Sequence, residues 1–132
     1  MLLSERVKLA PRVFVIGNGG SYANAMHIVN DLLSCGIAAF SMDPATLTAF
    51  ANDHGYESAF DLWIKTVGES RDLLIALSGS GKSQNILRAV ETAKRMGMDV
   101  HCEFGYPKGL DMQQAEEEQI MIGHELMREL RK

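Results

Sequence analysis

The sequence predicts an α/β domain built on a parallel sheet, and three observations carry that prediction. Two apolar runs, Arg12–Ile16 and Leu73–Leu77, lack polar alternation, as expected of strands covered on both faces. Each runs straight into a loop of small and hydroxyl-bearing residues, Gly17–Ser21 and Ser78–Ser83. Each loop then opens onto a helical pattern, so the chain repeats one strand, loop, helix device and implies βαβ units.

Leu2, Leu3, Val7 and Leu9 stand at loosely helical spacing and Pro11 stops the helix they form. Arg12–Ile16 is β-branched and apolar, the first strand. Tyr22–Ser34 follows its loop as a helix that ends at Gly36, and Ile37–Phe40 reads as the next strand. Asp43, Pro44 and Thr46 start a helix that runs through Phe50, with Asn52–Gly55 as its breaker. Tyr56–Val67 is again helical, with Phe60, Leu62, Trp63, Ile64 and Val67 forming a broad apolar face. Gly68–Arg71 turns into the Leu73–Leu77 strand, and Ile86, Leu87, Val90 and Ala93 mark the helix after it. Met98–Phe104 is a fourth strand, Gly105–Gly109 a loop, and Leu110–Leu130 a long closing helix.

At 132 residues the chain is expected to form one domain, 1–132, with everything functional on a single scaffold or at a subunit interface. A formal charge of -4 supplies no basic field, which argues against nucleic acid as a partner. No apolar run approaches the roughly 20 residues needed to span a bilayer. Cys35 and Cys102 follow no metal or redox spacing, and the first residues lack the apolar core of a signal peptide, so a reducing, cytoplasmic setting is expected.

The loop Ser78–Ser83 (SGSGKS) brings hydroxyls and small residues to a helix start, where unpaired N–H groups favour an anion such as a phosphate monoester. Ser and Gly are equally ordinary turn and N-cap residues, so the loop alone leaves both readings open. It is not a Walker A sequence, because the first glycine is missing at the required spacing, and Lys82 is not read as a triphosphate lysine. GNGGSY has the wrong glycine spacing for a dinucleotide fold and no acidic residue closes the second strand in register, so no nucleotide cofactor is expected. In a parallel sheet both loops fall at carboxyl ends of strands and can face one crevice.

His27 and Asp31 are four apart on one helix, hence one turn apart on one face. Glu116 and His124 are eight apart on the last helix, about two turns along and roughly 80° around the axis. The two pairs can meet across a cleft as a divalent-metal site or as a general acid and base, or they can be plain surface pairs. The Glu116–Glu118 run also suits a solvated face, and His54 and His101 read as structural.

Four stretches in order, GNGGSYANAMHIVNDL, DPATLTAFANDHGYE, DLLIALSGSGKSQNILRAVETAKRMGM and IGHELMREL, resemble the sugar isomerase (SIS) domain of phosphoheptose isomerases. The resemblance implies a three-layer αβα sandwich, flavodoxin-like, with a parallel sheet of four to five strands. It implies a sugar-phosphate substrate bound at the interface of a homo-oligomer, a dimer or tetramer. Its substrate-binding positions fall on Asn18, Gly19, Gly20, Ser21, Asn52, Asp53, Ser78, Gly79, Ser80, Ser83 and Glu116. It places a zinc ion on His27, Asp31, Glu116 and His124, and the catalytic pair on Asp31 and His124. The activity implied is aldose–ketose isomerisation of sedoheptulose 7-phosphate through an enediol. The alternative is a non-catalytic SIS module that binds a sugar phosphate or a partner protein.

The chain departs from the family pattern at several points. Asp31 stands where glutamate is usual, Glu116 where glutamine is usual, Gly79 and Lys82 where threonine and asparagine are usual, and Gln119 where a histidine is common. The segment ahead of the first strand is about ten residues, and only one strand fits between Met98 and Glu116 where the family has two.

Overall fold

The computed structural model describes residues 1–132. Its elements in chain order are α1 (Leu3–Leu9), β1 (Val13–Ile16), α2 (Gly20–Ser34), β2 (Ala39–Phe40), α3 (Pro44–His54), α4 (Ala59–Val67), β3 (Leu73–Ser78), α5 (Gln84–Arg95), β4 (Asp99–Phe104) and α6 (Met112–Leu130). Short 3₁₀ turns at Tyr56–Ser58 and Tyr106–Lys108 lead into α4 and α6.

The sheet has four strands in the order β2-β1-β3-β4, all parallel. β1 and β3 are buried at every position because both faces are covered, which is why their sequences carry no polar alternation. The pleat sends alternate residues to opposite sides. Val13, Val15, Leu73, Ile75 and Leu77 pack with α1, α2 and α6, including Val7, Ile28, Leu32 and Leu126. Phe14, Ile16, Leu74 and Ala76 pack with Phe60 and Ile64 of α4 and Ile86, Ala89 and Val90 of α5. The architecture is therefore a three-layer αβα sandwich.

β1 pairs with β2 on one side and β3 on the other, so the chain reverses direction across the sheet between its first and third strands. Loops leaving the carboxyl ends of two such neighbours diverge and leave a crevice. Here those are the two Gly/Ser loops.

Several element boundaries differ from the sequence reading. The sheet holds four strands, within the four to five expected. The second strand shrinks to Ala39–Phe40, a two-residue edge. Asn52–His54 do not break the third helix: Asp43 caps it through Thr46 N (2.9 Å), Pro44 sits in its first turn, and the helix runs on to His54. The break falls at Gly55 alone, whose φ of +91° is a conformation glycine adopts without strain. Gly20 and Ser21 lie inside α2 rather than in the loop before it.

Candidate functional site

The crevice between the two loops is lined by Asn18, Gly19, Gly20, Ser21, Leu77, Ser78, Gly79, Ser80, Ser83, Met112 and Glu116, and its volume is about 290 Å³. α2 and α5 both begin at this crevice, and neither has a side chain capping its first N–H groups. α3 and α6 are both capped by aspartates, although α6 also begins at the crevice, with Met112 and Glu116 in its lining. Two uncapped helix N-termini aimed at one space favour an anion there through their free N–H groups and partial positive charge. No lysine or arginine lines the crevice, so this backbone field is its source of positive potential.

The hydroxyls are arranged to donate. Ser78 Oγ accepts from Gly81 N (2.9 Å) and Ser80 Oγ accepts from Lys82 N (3.0 Å), which leaves each hydroxyl hydrogen free. Ser83 is the N-cap residue of α5 yet makes no cap bond, so its side chain is free as well. Ser21 is held instead by Gln119, whose Nε2 donates to Ser21 Oγ at 3.0 Å while its Oε1 accepts from Asn24 at 2.8 Å. Gly79 is roofed by Met112, whose thioether stands where a side chain at position 79 would be. The Gly79 carbonyl accepts from Gly105 N (3.1 Å) and Tyr106 N (2.8 Å), so the segment after β4 clamps the serine loop.

A second group lies further along α2 and α6, which run side by side in the same direction. His27, Asp31 and His124 offer three ligand atoms all within 4.8 Å of one another. The Nε2 atoms of His27 and His124 are 3.0 Å apart, and Asp31 Oδ2 lies 3.4 Å and 3.8 Å from them. Asp31 is buried and its Oδ2 accepts no hydrogen bond. An orphaned carboxylate oxygen facing two imidazole nitrogens fits a zinc ion, with a position left open for a further ligand.

Of the four residues that the resemblance places on a metal, His27, Asp31 and His124 come together and Glu116 lies apart from them. Glu116 points into the crevice, with its carboxylate against Gly20 where a side chain at that position would lie. Eight residues along one helix correspond to about 12 Å of rise, so Glu116 is level with the start of α2 while His124 is level with His27. Asn52 and Asp53 stand apart from the crevice: they sit exposed near the end of α3, with Asn52 Nδ2 donating to Asp53 Oδ1 at 3.0 Å. His54 is exposed beside Phe50, and His101 bonds Glu103 at 2.6 Å.

Asn85, Tyr56, Met112 and Asn24 were not singled out in the sequence. For Asn85 a signal existed, since it falls on the Ala89 and Ala93 stripe that α5 turns to the core, where a polar residue needs a partner. Its partner is Asn18, in the other loop.

A parallel sheet with two hydroxyl-rich corners at its switch point is the SIS architecture, and the family model described as "SIS domain" matches residues 2–102. The chain belongs to the SIS domain family. Within that family it is similar to the phosphoheptose isomerase of Helicobacter pylori (strain P12), 39% identical over 105 residues, covering 74% of this chain and 55% of the relative. The phosphoheptose isomerase of Akkermansia muciniphila is 36% identical over 105 residues, with 74% and 56% covered. The chain thus spans about half the length of these relatives. Among solved structures, phosphoheptose isomerases from Neisseria gonorrhoeae and Francisella tularensis each superpose with a TM-score of 0.85. They are 24% and 26% identical, with 96% of this chain and 82% and 81% of theirs covered, respectively. No helix is long and apolar enough to cross a membrane.

Proposed function

We propose that the chain is a phosphosugar isomerase that interconverts the ketose sedoheptulose 7-phosphate and its aldose through an enediol, acting in the cytoplasm as a homo-oligomer. The observation that carries this reading is the pairing of two sites on the same two helices. The crevice at the start of α2 and α6 suits a phosphate, and the His27, Asp31 and His124 group lies further along both helices. Seven residues from Gly20 to His27 rise about 10 Å, comparable to the length of an extended seven-carbon chain. A sugar anchored by its phosphate end therefore places its C1 and C2 beside the carboxylate and imidazoles.

Ser78, Ser80 and Ser83 donate to the phosphate oxygens, together with the N–H groups at the starts of α2 and α5. Asn18, Gly19, Gly20, Ser21 and Glu116 line the path of the polyol, and Gly79 keeps the backbone close to the phosphate. Asp31 takes the proton from C1 of the ketose and returns it to C2 of the aldose, and His124 moves a proton from the C1 hydroxyl to the C2 oxygen. Zinc, held by His27, Asp31 and His124, would polarise the carbonyl. Asn52 and Asp53 lie outside the crevice of their own chain, and their assignment to substrate rests on the resemblance alone.

One observation favours a second reading, a SIS module that binds a sugar phosphate without turning it over. Neither Asp31 nor His124 lines the crevice. Assay of sedoheptulose 7-phosphate turnover, with metal analysis and thermal shifts against the same compound, separates the two. A ligand that binds only the folded chain raises stability as RT ln(1 + [L]/Kd). Turnover with a concentration-dependent shift supports the isomerase, a shift without turnover supports the binding module, and the absence of both overturns each.

A further inference from the structure

Asn18 is the one crevice residue whose side chain is committed on almost every side. Its Oδ1 accepts from Asn85 Nδ2 at 2.9 Å and from the Tyr56 hydroxyl at 2.7 Å, which uses both lone pairs. Its Nδ2 donates to Asn85 Oδ1 at 2.9 Å, which uses one of its two hydrogens. The single unspent group is the second N–H, on a residue that lines the crevice. Asn85 is 4% exposed, so the reciprocal amide pair is shielded from water and cannot be replaced by solvent at no cost.

We infer that Asn85 and Tyr56 are positioning residues that lock the Asn18 amide so that it presents an N–H, not a carbonyl, to the ligand. The ligand atom it meets must then be an acceptor, a hydroxyl oxygen of the polyol chain. The same pair is a strut between the two loops, since Asn18 follows β1 and Asn85 lies in the first turn of α5. Tyr56 adds the segment between α3 and α4 as a third support. This inference rests on the sugar-phosphate reading for its ligand but not for its geometry.

The test is a double-mutant cycle read by calorimetric titration of sedoheptulose 7-phosphate and of inorganic phosphate. Asn18→Ala and Asn85→Ala are each expected to weaken the sugar phosphate about tenfold, and the double variant no more than twofold beyond Asn18→Ala. Inorganic phosphate, held by the serine loop, is expected to change less than twofold. Additive losses in the double variant, or an Asn85→Ala chain that binds the sugar phosphate as well as the wild type, overturn the inference. Tyr56→Phe removes only the hydroxyl that bonds Asn18 and is expected to give a smaller loss of the same kind. If the wild type takes up no sugar phosphate, the proposed function falls, and the positioning is read from the Asn18 side-chain amide resonances. Those are expected to move and to exchange faster with water in Asn85→Ala and Tyr56→Phe, and unchanged Asn18 resonances overturn the inference on their own.

Discussion

Gly123→Ala should damage the metal-ligand group without touching any of its members. Gly123 sits on α6 beside His124, and an added Cβ would lie 2.7 Å from Ile28 Cγ1 and 3.3 Å from its Cδ1. Ile28 is the neighbour of His27 on α2, so the two helices are pinned together one residue away from the imidazole pair. Carbon atoms pack at about 3.5–4.0 Å, so α6 must back away by about 1 Å. Overpacking of this kind costs about 1–3 kcal/mol, offset by the roughly 1 kcal/mol that alanine gains over glycine within a helix. The net loss is about 1 kcal/mol, or about 3–6 °C in Tm for a chain of this length. The larger effect falls on the site, because the Nε2 atoms now 3.0 Å apart separate by a comparable distance. Ligand distances are tolerated only within about 0.2 Å, so zinc affinity should fall at least about tenfold. The assay is thermal unfolding with and without zinc for wild type, Gly123→Ala, Ile28→Ala and the double variant. Removing the Ile28 side chain clears the space, so the glycine change should cost little in that background. Wild-type Tm and zinc shift in Gly123→Ala, or an equal loss in both backgrounds, would refute the reasoning.

Ser80→Ala combined with Ser83→Ala should abolish the thermal shift produced by sedoheptulose 7-phosphate. The resting Tm should change little, because Ser83 makes no cap bond to lose; a retained shift would show that the serine loop is not the phosphate seat. Gly20→Ala should weaken sugar-phosphate binding, because the added Cβ would overlap the Glu116 carboxylate and displace it from its place against α2; unchanged binding in the same thermal titration would show that this close approach does not matter. Burial raises the Glu103 carboxyl, but hydrogen bonds from His101 and Lys108 outweigh it and hold the group below its ordinary value of 4.5. A carboxyl depressed in the folded state stabilises above its unfolded pKa and loses that contribution as pH falls through the folded one. Urea unfolding should therefore show stability falling as pH drops below 4.5, with a flatter acid limb in Glu103→Gln.

The layers and the parallel sheet were legible because burial writes itself into local pattern. Leu73–Leu77 could avoid polar residues only by being covered on both faces, and Ile86, Val90 and Ala93 recur with the period of one helical face. The Gly/Ser loops were legible for a similar reason, since small residues at a strand end record where the backbone must approach something. The helix boundary at Asn52 was misread because these residues are poor helix formers. The capped and proline-started α3 carried them to His54 regardless.

What the order of residues determined by itself was each element's type and the face it buries, because both depend on spacing along one strand or helix. Which side chains meet across elements was decided only by the tertiary structure. His27 and Asp31 announce a pair, but the register of α2 against α6 brings His124 to them and leaves Glu116 at the crevice. Asn18 and Asn85 are 67 positions apart, and only the adjacency of β1 and β3 turns two ordinary amides into one strut. Register between packed helices is fixed by the fit of Gly123 against Ile28 and similar contacts, and such a fit has no period to be read along a chain.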